Sequence, residues 1–333
     1  MNDRDTQTRL QITASLLLNL YWLFLIVYCI ARFVVRWEAR WLNLLYNGMP
    51  YLFLVALIAF VIMILVGAGR LALRYLLLLI IAGIIWGLRI LPVLDPTPPP
   101  PDAIALDVVT FNVYPQNQEL DAVQEWLMAQ SADIVLLQEV GAPLSRLIEV
   151  YPHRDVLQTP NENRHYVLSR YPILEAEDID VEDSVQQRVV LDVDGQAVTV
   201  YNVHLWMPLD DNADRFLLLR YDETRRNRQI STVIARANSE TNPTIIGGDF
   251  NMSEFSPIYD TIARNFGDVY RHTRWQLGFS WPAGASEELG NWLPPLVRLD
   301  YVWHSAPFVP IDASLGVPLG SDHLPLHTTL ALP

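Results

Sequence analysis

The chain has 333 residues, 51% of them hydrophobic, and a formal net charge of -14. That charge is divided unevenly: residues 1–95 carry 8 Arg against 4 acids, and residues 96–333 carry 15 Arg against 33 acids, net -18. There is no lysine, which excludes a P-loop lysine and a Schiff-base lysine, and the single cysteine, Cys29, excludes a disulfide framework and a cysteine zinc site.

The first ninety residues read as membrane. Residues 12–30 and 51–66 are nearly continuous apolar runs, and residues 75–94 form a third that is broken only by Arg89. A spanning helix needs about 20 apolar residues, with about 17 as the lower limit. The first run meets this outright, the second needs residues 67–69 as well, and the third needs Arg89 to snorkel. Trp22, Trp37, Trp41, Tyr46 and Tyr51 stand where interfacial aromatics are expected. Three transmembrane helices over residues 1–94 are therefore expected, with connections near 31–50 and 67–74, in an integral protein of the plasma membrane. Arg counts on the two sides balance at four against four, and the acidic linker tips the reading toward an extracytoplasmic polar domain.

Residues 95–102, Asp-Pro-Thr-Pro-Pro-Pro-Pro-Asp, cannot continue a helix and form a semi-rigid linker. Beyond it the pattern changes to that of an α/β domain over 103–333. Strands are predicted over 104–113, 133–137, 164–169, 188–193, 197–204, 244–246, 299–303 and 326–330, and helices over 119–129 and 214–238. Asp194-Gly195 marks a hairpin turn. Strands outnumber helices and hairpins accompany them, which predicts two packed sheets with helices outside. The acidic run 175–183 reads as solvent-facing, and Arg225, Arg226 and Arg228 read as a solvated helix face. Arg188 has two open readings, a phosphate contact or a salt bridge. Trp275, Phe279, Trp281 and Trp292 lie in a loop over 275–298 that serves either packing or a substrate lip.

Five of the apolar strands end in residues able to bind metal or phosphate: Thr110-Phe-Asn112, Leu137-Gln-Glu139, Tyr201-Asn-Val-His204, Gly248-Asp249-Phe-Asn251 and Ser321-Asp322-His323. A sixth, Leu299-Asp300-Tyr301, places an acid within a strand. Singly, such residues are turn or cap residues far more often than catalytic ones. In this order, the segments TFNV, LQEV, YVLSRYPI, VYNVHL, GGDFN, LDYVWHS and SDHLPL resemble the endonuclease/exonuclease/phosphatase superfamily, whose members include DNase I-like nucleases, abasic-site nucleases, inositol-polyphosphate 5-phosphatases and neutral sphingomyelinases. The resemblance covers 104–331 and implies the DNase I-like four-layered α/β sandwich.

The resemblance also implies roles. Glu139 would ligate Mg²⁺, or Mn²⁺ in its place, with Asn112 and Asp322 beside it; hard cations of this kind prefer carboxylate oxygen. Asp249 would position or deprotonate the attacking water, and Asn251 would hydrogen-bond a phosphate oxygen. His323 would contact the phosphate or activate water, with Asp300 fixing its ring, and His204 would donate to the transition-state oxygen or the leaving group. The sequence leaves open whether the aspartate or the histidine is the base. Tyr114 stands where abasic-site nucleases carry an aspartate, which disfavours that branch. The expected activity is a membrane-anchored, Mg²⁺-dependent phosphoester hydrolase, with a lipid headgroup or lipid-linked phosphate as substrate and the bilayer as partner. The alternatives are a metal-dependent nuclease, which the acidic domain disfavours, and a catalytically silent binding module.

Overall fold

The computed structural model describes residues 3–34, 40–65, 98–181, 184–209, 221–284 and 293–333, and describes 67–93 in part. The chain divides into two compact units: residues 1–89 with 209–222, and residues 90–208 with 223–333.

The first unit is helical, with α1 (Asp3–Val34), α2 (Arg40–Asn47) and α3 (Met49–Leu65). Polar side chains and aromatic stacking tie it together. Tyr28 donates to the Leu42 carbonyl at 3.1 Å, and Asn47 Nδ2 donates to the Tyr221 hydroxyl at 2.7 Å. Trp22 stacks on Tyr75 with ring centroids 5.7 Å apart, and Tyr75 donates to Asn19. The predicted first and second spans meet α1 and α3, and α2 occupies the predicted first connection. The predicted second connection and third span are described in part, and residues 95–97 of the predicted linker lie outside the described residues. Among the described residues no helix is long and apolar enough to cross a membrane; α3 has 17 residues. The outer surfaces of α1 and α3 nonetheless bear exposed Leu16, Leu17, Leu20, Leu23, Leu54 and Ile58.

The second unit runs β1 (Ile104–Asn112), α4 (Leu120–Gln130), β2 (Ile134–Val140), α5 (Ser145–Val150), β3 (His153–Gln158), β4 (Arg164–Ser169), β5 (Ile173–Val181), β6 (Ser184–Val193), β7 (Gln196–His204), α6 (Thr224–Asn238), β8 (Thr244–Asp249), α7 (Tyr259–Ala263), β9 (Gly267–Asp268), α8 (Val269–Thr273), β10 (Asp300–His304), β11 (Val309–Leu315) and β12 (Leu326–Leu332). Among the described residues these strands form two six-stranded sheets, ordered β11-β12-β1-β2-β4-β3 and β5-β6-β7-β8-β10-β9.

Period-two alternation builds the layers. Leu106 and Val108 of β1 point inward to a core shared with Val189, Leu191, Val198, Val200 and Val302 of the second sheet. Val109 and Phe111 point the other way, onto Val123 and Leu127 of α4 and Leu147 of α5. On the far side, Ile230, Val233 and Ile234 of α6 cover Tyr201, Val203 and Ile246. Helix, sheet, sheet and helix thus make the four-layered α/β sandwich. Residues such as Val108 and Leu106 are fully buried, and each branched side chain so buried contributes about 1.5–3 kcal/mol.

The structure corrects some of the expectations and resolves others. β3, β5 and β11 fall where no strand was predicted. The acidic run is largely strand β5, whose Glu175, Glu177 and Asp178 are exposed while Ile179 and Val181 are buried; an edge strand can carry acids on its open face without losing its apolar side. The long predicted helix begins at Thr224 rather than 214, and residues 214–220 lie outside the described residues. Arg188 is in a salt bridge, a two-pronged pair with Glu240 at 2.7 and 2.9 Å. Arg226 is buried, not solvated.

Candidate active site

Sheet register assembles the site. β7 and β8 are parallel and place His204 opposite Asp249; β8 and β10 are antiparallel and place Asp249 opposite Asp300. In the other sheet, parallel β1 and β2 place Asn112 opposite Gln138, next to Glu139. The two sheets meet at these strand ends, where Asn112 Nδ2 donates to Asp249 Oδ2 at 3.1 Å. The loop before β12 is pinned to the same place: Ser321 Oγ donates to the Asn112 carbonyl at 2.7 Å and accepts the His323 amide at 3.0 Å. His323 Nδ1 lies 2.8 Å from Asp300 Oδ2, and its Nε2 lies 3.7 Å from Asp249 Oδ2. His204 Nε2 lies 3.4 Å from Glu139 Oε1 and 3.9 Å from Asp249 Oδ2.

The backbone here is unusual in ways that only the assembled site explains. Glu139 and Asn251 have φ of 54° and 48° although neither is glycine. Such conformations cost of order 1–3 kcal/mol each and persist where surrounding bonds over-determine them. At Asn251 those bonds are its amide to Asp249 Oδ1 at 2.9 Å, its Nδ2 to the Leu205 carbonyl at 2.9 Å, and Arg226 to its own carbonyl at 2.6 Å. Gly248 has φ of 147°, and a Cβ there would lie 1.9 Å from the Val203 carbonyl oxygen. Only glycine lets β8 approach β7 closely enough at this point.

Burial and charge set the protonation states. Asp249 is 1% exposed. Burial pushes its carboxyl up to about 6, with Asp300 adding to the rise and His323 and His204 opposing it. Burial acts to lower the His323 pKa, but the carboxylates of Asp300 and Asp249 outweigh it, so the imidazolium is held well above the ordinary histidine range. His165, not singled out from the sequence, packs edge-on against His204 at 5.4 Å; burial, with His204 adding, lowers its pKa to about 3. It is a neutral ring that backs His204.

Seven predicted residues therefore converge: Asn112, Glu139, His204, Asp249, Asn251, Asp300 and His323. Asp322 stands to the side, its Oδ2 accepting from Trp281 Nε1 at 3.2 Å. Trp275 is exposed, and Trp292 lies outside the described residues. Asp249, Asp300 and His323 bring ligand atoms within 4.8 Å of one another. Asp300 Oδ1 is buried with no hydrogen-bond partner, and the Glu139 carboxylate at the mouth is 26% exposed. A set this rich in carboxylate oxygen fits a hard divalent cation. Ser280 was not anticipated, and Arg226 was expected on a solvated face rather than beside the site. Ser280 Oγ accepts the Leu299 and Asp300 amides and so holds the start of β10.

A four-layered sandwich that gathers carboxylates and imidazoles at its strand ends defines the DNase I-like class of proteins. Residues 109–323 match the model described as the endonuclease/exonuclease/phosphatase family, and the chain belongs to that family. Its members are typically metal-dependent phosphoester hydrolases or nucleases. Similar solved structures include an endonuclease/exonuclease/phosphatase from Bacteroides vulgatus (17% identity, TM-score 0.54, 69% of this chain and 100% of that one). Another is an endonuclease/exonuclease/phosphatase from Beutenbergia cavernae (20% identity, TM-score 0.54, 68% and 72%). A third is a truncated TDP2 from Caenorhabditis elegans (16% identity, TM-score 0.54, 68% and 98%). At these identities the likeness is one of fold. Comparison with curated proteins gives no match.

Proposed function

We propose that this protein is a Mg²⁺-dependent phosphoester hydrolase anchored in a membrane, acting on the phosphate of a lipid headgroup or lipid-linked ester. The observation that carries the hydrolase reading is the buried His323–Asp300 pair facing Asp249, with the Glu139 carboxylate open at the mouth.

Above a pH of about 6, Asp249 is ionised and serves as the base that takes a proton from the attacking water. Asn112 and Asn251 hold its two oxygens in place. His323, kept as an imidazolium with Asp300 fixing its ring, donates to a phosphate oxygen as negative charge builds there. His204 donates from Nε2 toward the departing alcohol oxygen. Glu139, assisted by Asn112, would hold the cation, which when bound neutralises charge on the phosphate.

Anchoring is supported by the exposed leucine and isoleucine faces of α1 and α3 and by the three apolar runs in residues 1–94. Contiguous apolar surface of this kind marks an interaction site. A linker of eight residues at roughly 3.1 Å each would reach about 25 Å, keeping the site near lipid and raising its effective concentration. The -18 charge of residues 96–333 opposes a polyanionic substrate, and the acidic linker supports an extracytoplasmic placement.

The test compares the full chain on mixed phospholipid vesicles and on plasmid DNA, each with Mg²⁺ and with EDTA. The expected result is Mg²⁺-dependent release of a phosphorylated or dephosphorylated headgroup product. DNA cleavage with no lipid product would replace this reading with the nuclease one, and inactivity on both and on bis(p-nitrophenyl) phosphate would favour a silent module.

A further inference from the structure

We propose that Arg226, from outside the reacting centre, is a positioning residue for Asp249, acting through the peptide of Asn251. This rests on the reading of Asp249 as the base. Arg226 lies on α6, at the opposite end of a chain of contacts from any substrate. Its side chain is 1% exposed and pairs with Glu223 at 2.9 Å, itself 2% exposed. One guanidinium nitrogen donates to the Asn251 carbonyl at 2.6 Å, and another donates to Ser256 Oγ at 3.2 Å.

The consequence follows from peptide geometry. Asn251 sits at φ 48°, and its amide donates back to Asp249 Oδ1. Asparagine tolerates that well better than other non-glycine residues, yet the well is sparsely populated and a tether on the loop holds it. The Asn251 carbonyl bonded to Arg226 is that tether, and the planar fork fixes direction as well as distance. Two buried ions are an expensive way to fill space, since a hydrophobic pair of similar volume is often as stable or more so. A pair kept at this cost has a job that an apolar pair could not do. One turn further along the same helix, Gln229 Oε1 accepts the amide of Trp206, two residues past His204, at 2.8 Å. The two loops that carry Asp249–Asn251 and His204 are thus both tethered to α6.

The experiment uses the full chain with bis(p-nitrophenyl) phosphate and Mg²⁺. Arg226→Lys keeps the charge beside Glu223 but offers no fork; kcat is expected to fall about tenfold with KM within twofold, and the amides of residues 249–252 to exchange faster with deuterium. Glu223→Gln/Arg226→Met removes both charges together. Its urea midpoint is expected to stand well above that of Arg226→Met alone, while kcat stays low. Wild-type kcat in either the lysine or the double variant, or unchanged exchange at residues 249–252 in Arg226→Lys, would overturn the proposal. A wild-type chain inactive on the ester refutes the hydrolase reading, and the exchange measurement then decides the tether on its own.

Discussion

Replacing Asp300 with asparagine isolates the contribution of one charge. The change keeps size and leaves the Asp300 amide on Ser280 Oγ, but it removes the carboxylate that faces His323 Nδ1 at 2.8 Å. Asp300 is 1% and His323 4% exposed, so the interaction is little screened. Two unit charges about 4 Å apart attract by about 4 kcal/mol at an effective dielectric near 20. Part of that is recovered because a neutral amide is cheaper to bury. A hydrogen bond to a charged group contributes about 1.5–3 kcal/mol net, and losing one donor to the charge that develops on the phosphate costs about 10²–10³ in rate. Asp300→Asn is therefore expected to lower kcat by about 10²–10³, with KM changed only a few-fold. The assay is steady-state hydrolysis of a chromogenic phosphodiester, run beside His323→Ala and the double variant. Because both residues act as one unit, the double variant should be no worse than His323→Ala alone. A fully active Asp300→Asn beside an inactive His323→Ala, or strictly multiplicative losses in the double variant, would refute the pairing.

Two further outcomes can be checked. Glu139→Gln is expected to abolish Mg²⁺-dependent activity while leaving the thermal midpoint within a few degrees, because this carboxylate is partly open to solvent; calorimetric titration of Mg²⁺ checks the loss of affinity, and an active variant with unchanged metal dependence would remove Glu139 from the metal site. His165 must stay neutral in the fold, since its pKa is lowered to about 3. Its contribution to stability is complete above the unfolded value of about 6.5 and is lost as pH falls below it, at about 1.4 kcal/mol per pH unit, or about 2 kcal/mol at pH 5. His165→Leu is expected to flatten the fall in urea midpoint between pH 7.5 and pH 5, and an equally steep fall in the variant would contradict the assignment.

The parts of the site that the sequence displays are those carried by single segments. TFN, LQE, NVH and GDFN each hold a candidate residue at the end of a buried strand, SDH holds its candidates in the loop before β12, and each of these is found in the cluster except Asp322. That aspartate is adjacent in sequence to His323, but it accepts instead from the indole of Trp281. What the sequence conceals arrives from elsewhere in the chain. Arg226 sits in an Arg-rich helix with acids nearby, a pattern shared by solvated faces, and its partner carbonyl belongs to a residue 25 positions away. His165 lies between Arg164 and Tyr166 in a strand whose role depends on packing against β7. Strand β5 was hidden by its acids, because composition registers the exposed face and the buried face together. The two-sheet layering was visible in the alternation, whereas the pairing of β12 with β1 depends on contacts more than two hundred residues apart in the chain.

His204, Asp249 and Asp300 are register partners across three adjacent strands. Neighbouring strands are about 4.8 Å apart, so the backbone ladder itself acts as a ruler for the acid–base groups, graduated in strand widths. Loops that close over the row can lengthen, shorten or change composition without moving its marks. On the proposed hydrolase reading, leaving-group selectivity and the acid–base row are therefore separable inheritances: loops can diverge between relatives while the spacing of the row stays where the sheet has put it.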